Sequence, residues 1–517
     1  MMATVERKWW TLAVVCVAVF MLLLDITIVN VALPDIAKSL HANFSAIQWV
    51  IDAYSLMLAA LLLTAGSLGD LLGRKRIFIA GLVIFSLASL ACGLANSSTL
   101  LNLMRGVQGI GGAIMFAQSL ALIAQEFQGR ERGTAFGIWG ATVGASVAVG
   151  PLIGGVLTET LGWEWVFFVN VPIGAAAVAL AISKMHESRD PQAPPIDWLG
   201  AVTFSGGLFL LVFALIRGNP EGWGSPLIVA MLIAAVLLLV AFFAIESRIS
   251  NPMLDLALFK VRTFTGASIT AFGLSASMFA MFLFLTLYLQ IGLGESPLNA
   301  GLHFLPITLV SFVVAPISGR LSTSVPVRLL MGGGLLLVAL GLLLMHGLEP
   351  RPKGEWTDLL PGFLVAGFGI GLINPPLAQT AVGVVDPRRS GMASGINTTF
   401  RQVGIATGIA ALGAVYQSVV ESKVRDGFAA IADGRAGQLA HLVANQEAPQ
   451  ALAQIPAQAR GHAAAIVNSA FVDALNELLL IGSAVAFIAA LFTFWLVRTS
   501  DFVHAPSGEP APAPAGG

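Results

Sequence analysis

Five ionisable side chains stand inside stretches of sequence that are otherwise apolar: Asp25, Asp52, Arg105, His303 and Arg401. A charge near the centre of a lipid-facing helix costs about 2.5–3.5 kcal/mol on insertion scales, so such residues are read first as functional. Asp25 lies eight residues before Leu33, which closes its apolar run, so roughly 12 Å deep at the usual helical rise. Arg105 lies about six residues into a later run, roughly 9 Å deep. Burial favours the neutral form of any carboxyl group and a nearby guanidinium favours the charged form, so an acid and an arginine at one depth can load and release a proton. Asp25 is the candidate proton carrier and Arg105 the group that tunes it; the alternative is a static buried ion pair. Asp52 is a second proton site, a contact for a cationic substrate, or an acid at a helix end. His303 is of a type that titrates near neutral pH, or is a hydrogen-bonded packing residue. Arg401 could balance cavity acids, bind an anionic group of a substrate, or pair with a helix carbonyl.

Other patterns concern movement more than proton transfer. Gly66 precedes Asp70-Leu71-Leu72-Gly73-Arg74-Lys75-Arg76 in a break barely long enough to turn. A carboxylate and a basic cluster there can latch neighbouring helices, and the glycines permit close approach. Gly150-Pro151 and Gly154-Gly155 bend a run and expose bare backbone for packing. Asn374-Pro375-Pro376 is expected to interrupt another run, where a broken hydrogen-bond ladder is tolerated beside a cavity. Asn30, Trp49, Tyr54, Gln108, Gln290, His303, Asn374 and Arg401 are the candidate cavity residues, with Phe116 and Trp139 as further aromatic lining. The glycine clusters Gly109–Gly112 and Gly367–Gly371 lie inside apolar runs with no Gly-Lys-Ser/Thr ending, so no nucleotide site is expected. No metal-ligand spacing and no catalytic constellation stand out, so the chain reads as neither a metal protein nor an enzyme, and no cofactor is expected.

The elements that must hold these residues are membrane spans. Hydrophobic residues make up 56% of the 517 and charged residues 11%, less than half the roughly 25% of soluble domains. Two cysteines and a net charge of −1 exclude a disulfide framework and a nucleic-acid partner. Apolar runs long enough to cross a bilayer fall at about 9–33, 47–68, 77–95, 99–125, 133–158, 164–183, 197–216, 226–246, 263–289, 298–319, 327–346, 358–382, 392–418 and 477–498. With the N-terminus inside, 17 Lys and Arg flank the inner ends against four in the short outer loops, so both termini are expected in the cytoplasm.

An internal repeat organises the runs. Gly133-Thr-Ala135-Phe-Gly137 recurs as Gly391-Met-Ala393-Ser-Gly395 at an offset of 258, and Gly66–Arg74 has a blurred partner in Gly319–Arg328 at about 254. The fold class expected is an all-α integral membrane protein with two six-helix bundles, spans 1–6 and 9–14, and spans 7–8 as an inserted hairpin. The domains are 1–190, 191–255 and 256–503, followed by a disordered Pro/Ala-rich tail at 504–517. Residues 419–476 read first as a flexible outer loop and second as a helical cap over the outer mouth.

Gly66 to Lys75 resembles the signature loop of the major facilitator superfamily, Gly-x-Leu-Ala-Asp-Arg-x-Gly-Arg-Lys, with Leu71 where arginine is usual. Leu24-Asp25-Ile-Thr27-Ile-Val-Asn30-Val-Ala-Leu-Pro34, Arg105-Gly-Val-Gln108-Gly109 and Gly150-Pro151-Leu-Ile-Gly154-Gly155 are similar to motifs of its fourteen-span drug:proton antiporters, often called EmrB/QacA. Trp163-Glu-Trp165, Asn170-Val-Pro172, Gln290, Pro306 and Phe400–Gly404 fall where that subfamily has similar residues; Glu164 departs from its usual arginine. The resemblance implies a proton-coupled exporter of hydrophobic, often cationic, small molecules, a multidrug efflux protein driven by the proton gradient and working by alternating access. The alternative is a dedicated exporter of one metabolite, siderophore, lipid or antibiotic. The expected partners are substrate, protons and the bilayer of the cytoplasmic membrane, for a monomer; the resemblance leaves open a membrane-fusion partner, which some relatives in double-membraned bacteria require.

Overall fold

The computed structural model describes residues 2–42, 44–188, 197–249, 254–350, 354–386, 390–429, 431, 434–444 and 448–502. The side chains of Asn30 and Pro151, the basic pair at 388–389 and the tail at 504–517 lie outside the described residues. Helices α1 (Met2–Ser39), α2 (Phe44–Leu72), α3 (Arg74–Gly93), α4 (Ser98–Glu126), α5 (Gly129–Thr160) and α7 (Asn170–Lys184) share one core, and the short α6 (Trp165–Phe168) packs Val166 and Phe167 with Ile28, Val29 and Val50 in a second cluster beside it. A hairpin follows, α8 (Trp198–Glu221) and α9 (Pro226–Glu246). The second core unites α10 (Arg262–Leu274), α11 (Ala280–Leu287), α12 (Pro297–His303), α13 (Leu305–Leu321), α14 (Val327–Leu344), α15 (Leu360–Gly383), α16 (Ser390–Phe428), α17 (Ala436–Ala444), α18 (Ala448–Ala453) and α19 (Arg460–Leu496).

Among the described residues, twelve helices are long and apolar enough to cross a membrane. The other two expected crossings are helical as well. The 32-residue α5 turns a glycine-rich face to α1 and α13, and those glycines lower its hydropathy. The second is the 17-residue apolar α13. The expected interruption at Pro375 and Pro376 does not occur, since α15 runs unbroken through both. Pro376 cannot donate to the Leu372 carbonyl four residues back, and Ser318 Oγ of α13 donates to that carbonyl at 2.7 Å instead. The breaks fall elsewhere: two π-helical turns, Ser275–Phe279 and Tyr288–Gly292, flank α11, and α12 gives way to α13 at Phe304.

Most of the described residues within 419–476 are helical, in place of an open loop. The long α16 and α19 continue past the apolar runs, and Lys423 of α16 pairs with Asp473 of α19 at 3.2 Å. Leu439, Ala440 and Val443 of α17 are buried in the same core as Val420, Val424 and Phe428. The hairpin packs through Phe204, Leu208 and Val212 of α8 onto Leu56, Ala59 and Leu63 of α2 and Ala393 and Ile396 of α16, so it covers the seam between the two six-helix groups. Both ends of the described chain lie on one face: Lys8 pairs with Glu131, and Asp501 accepts from Thr263 N–H at the start of α10. That face is called the terminal face below.

Candidate functional site

Asp25 is fully buried, and three side chains from two other helices converge on it. Arg105 of α4 pairs with Oδ2. Gln108, one turn further along α4, donates to Oδ1 at 2.9 Å, and Asn170 at the start of α7 donates to the same oxygen at 3.2 Å. Arg105 also donates to Gln108 Oε1 at 2.8 Å and to the Val50 carbonyl of α2 at 2.8 Å, and its guanidinium lies 4.4 Å from the Tyr54 ring centroid. Tyr54 donates to the Leu22 carbonyl at 3.2 Å. Asn170 donates as well to Ser89 Oγ at 3.0 Å, and Ser89 to the Phe167 carbonyl at 2.9 Å. A buried carboxylate whose two oxygens are both partnered, one of them by an arginine, forms a closed polar network within one bundle. Gln108 and Tyr54, read from sequence as cavity residues, belong to this network. Asn170 and Ser89 were missed as partners, because uncharged polar residues in an apolar run give little signal alone.

Asp52 shares no partner with Asp25. It is 9% exposed, its Oδ2 has no hydrogen-bond partner, and Arg217 of α8 supplies the charge that acts on it. Trp49, one turn earlier on α2, lies against Phe213 of α8 with ring centroids 5.4 Å apart, and the Arg217 guanidinium stands 5.9 Å from its ring. Both residues therefore face the hairpin.

At the terminal face Asp70 accepts from Gly391 N–H at 3.1 Å and from Met392 N–H at 2.9 Å, the first turn of α16. Arg74 holds the same carboxylate through Nε at 2.9 Å and a terminal nitrogen at 2.7 Å. Gly73 joins α2 to α3 at φ 109°, a conformation suited to glycine. Gln118, not singled out from sequence, donates to the Ala65 carbonyl at 2.6 Å and fills the space beside Gly69. Gly66 packs on the Gly391 carbonyl, and Gly133 and Gly319 pack on each other's carbonyls, so a methyl group at any of the three would collide with backbone. The two halves of the sequence repeat thus make two equivalent crossings, α2 on α16 and α5 on α13. The Gly150 and Gly154 pair serves a different contact, docking α5 on Thr27 and Ile28 of α1 within one bundle; Gly155 beside them is buried.

Between the two cores a small, partly open cleft is lined by Val143, Gly144, Phe279, Phe282, Ile307, Thr308, Ser311, Ile370 and Asn374. Largely apolar lining with a few placed polar groups is the usual make-up of a small-molecule site. Arg401 stands behind Asn374, whose Oδ1 accepts from both of its terminal nitrogens at 3.1 and 3.0 Å. Phe116 and Trp139 stack with centroids 6.1 Å apart in the N-terminal core. His303 does not join the cavity lining; it stacks on Trp356 at 4.4 Å, with Glu295 4.0 Å away. Gln290 is half-buried in the second π-helical turn.

Comparison with known proteins adds a family. The sequence profile of the Major Facilitator Superfamily matches residues 15–409. The chain is 34% identical to the tetracenomycin C resistance and export protein of Streptomyces glaucescens, over 99% of this chain and 96% of that protein. It is 38% identical to the puromycin resistance protein of Streptomyces alboniger, over 81% and 84%. It is 36% identical to the multidrug resistance protein Stp of Mycobacterium tuberculosis, over 78% and 75%. In fold it resembles a human organic anion transporter, with a TM-score of 0.61 over 93% of this chain and 99% of the other at 15% identity.

Proposed function

The chain belongs to the Major Facilitator Superfamily, and on that premise we propose that it is a proton-coupled exporter of hydrophobic small molecules, an antiporter of the fourteen-span type in the cytoplasmic membrane. It is a multi-pass membrane transporter and not an enzyme, and its relatives are resistance and export proteins. The observation that carries the mechanism is the pairing of a closed terminal face with a sealed carboxylate. Asp70 and the glycine crossings hold the bundles together at that face, while Asp25 is held by Arg105, Gln108 and Asn170 in a network belonging to the N-terminal bundle alone.

The excess of Lys and Arg makes the terminal face cytoplasmic, so this conformation is closed to the cytoplasm. Rocking of one bundle on the other breaks the Asp70 contacts and opens the central cavity inward. Protonation of Asp25 releases Arg105 and biases the change; Asp52, with a free buried oxygen on a different face of α2, is the second site for a proton. One proton moving down 100 mV supplies about 2.3 kcal/mol, enough for a modest gradient of substrate. A dedicated exporter of one compound is the second reading, favoured by the small cavity and its single adjacent arginine.

Retention assays test the proposal: cells expressing the protein should keep less of an exported compound than cells without it, and an uncoupler should abolish the difference. An unchanged difference after the proton gradient collapses would contradict proton coupling.

A further inference from the structure

The cavity between the bundles has a cation beside it and no acid among its described lining residues. Arg401 is 6% exposed and makes no ion pair among the described residues; both of its terminal nitrogens share one acceptor, Asn374 Oδ1. A guanidinium offers a planar fork of donors that matches a carboxylate or another oxygen anion, and most of that capacity is unused here. Its neighbours are short of acceptors too. Asn374 Nδ2 and Asn397 Nδ2, the latter one turn from Arg401 on α16, have no partner, and neither has the hydroxyl of Ser311 in the cavity wall. Buried polar groups are nearly always satisfied, so free amide donors beside a guanidinium without an ion pair mark a place where acceptors arrive from outside the chain.

The N-terminal acids do not supply them. Asp25 is held by Arg105, Gln108 and Asn170, and Asp52 faces the hairpin. A cation entering the cavity would meet like charge and N–H groups. The apolar wall points the same way for the rest of the ligand: Phe279 and Phe282, with ring centroids 5.9 Å apart, offer aromatic surface beside Asn374. The π-helical turn Ser275–Phe279 sets that surface, and such turns recur at functional sites.

We propose that this cavity binds an aromatic anion, with its ionised oxygen on Arg401 and the free amide of Asn374 and its ring against Phe279 and Phe282. The proposal names the substrate class of the export site and rests on the export reading above.

The test uses the full-length protein in lipid nanodiscs, titrated with anthracene-9-carboxylate and separately with ethidium and read by probe fluorescence anisotropy. The carboxylate should bind saturably and about tenfold or more weakly in Arg401→Gln, as expected for loss of a charge-assisted contact. Arg401→Lys should recover part of the affinity, and Asn374→Ala should weaken binding in protein whose circular dichroism and melting match wild type. Equal binding in Arg401→Gln, no saturable carboxylate binding in wild type, or preference for ethidium would overturn the assignment. Counterflow of the same carboxylate in proteoliposomes separates the two readings. Binding without transport overturns export and leaves the subsite, whereas transport unchanged in Arg401→Gln overturns the subsite and leaves export.

Discussion

The carboxylate of Asp70, on the last turn of α2, accepts the backbone N–H of Gly391, on the first turn of α16, at 3.1 Å. That contact joins an acid of the N-terminal bundle to the positive end of a helix dipole in the C-terminal one. Arg74 braces it from the same bundle.

Replacing Asp70 with Asn keeps the size but removes the charge and turns an amide donor toward the N–H groups of α16. The loss of a charge-assisted hydrogen bond is worth about 1.5–3 kcal/mol, so the closed state should lose at least about tenfold in relative population. Spin labels at the terminal ends of α2 and α16 should show the longer distance gaining weight in Asp70→Asn.

The glycine crossings make a sharper prediction. Gly→Ala inside a helix ordinarily stabilises by up to about 1 kcal/mol. At Gly133 or Gly319 the added methyl meets the facing backbone carbonyl, so α5 and α13 must separate. Gly133→Ala should keep its helix content by circular dichroism and lose transport, with the terminal face held open to thiol reagents.

Arg105 and Asp25 should be interdependent. Removing Arg105 alone leaves a buried carboxylate with only neutral donors, a change that costs about 3–5 kcal/mol in comparable pairs. Arg105→Ala should melt well below wild type in detergent. Arg105→Gln combined with Asp25→Asn should recover most of that loss and still fail to couple protons.

Asp52 answers to different neighbours, since it faces Arg217 and the α8 surface. Asp52→Asn should lower the number of protons released per substrate, measured by pH-dye calibration, without abolishing substrate-driven release.

Much of this was legible in the residues. Hydropathy located the helices, and the two short glycine matches pointed to a repeat; that Gly66, Gly133, Gly319 and Gly391 are the points where the bundles cross emerged only from the packing. The depths of Asp25 and Arg105 placed them together. What stayed hidden depends on neighbours. Asn170 and Ser89 are ordinary polar residues until α3 and α7 bring them to Asp25. The prolines of α15 look like a break until Ser318 satisfies the carbonyl that one of them frees. The Ala- and Gln-rich stretch after 418 reads as a loop because its apolar side chains are sparse, yet Leu439 and Val443 bury against the extension of α16. Trp49 and Asp52 could not be assigned to the hairpin without knowing that it lies across the seam.

Proton coupling through Asp25 is tested most directly in energised inside-out vesicles, with a pH-sensitive dye in the lumen and anthracene-9-carboxylate or ethidium added outside. Wild-type vesicles should release lumenal protons when an exported probe is added. Asp25→Asn should release none while still exchanging labelled for unlabelled probe, which shows that its cavity is intact. Proton release in Asp25→Asn equal to wild type would contradict the assignment of Asp25 as the coupling carboxylate.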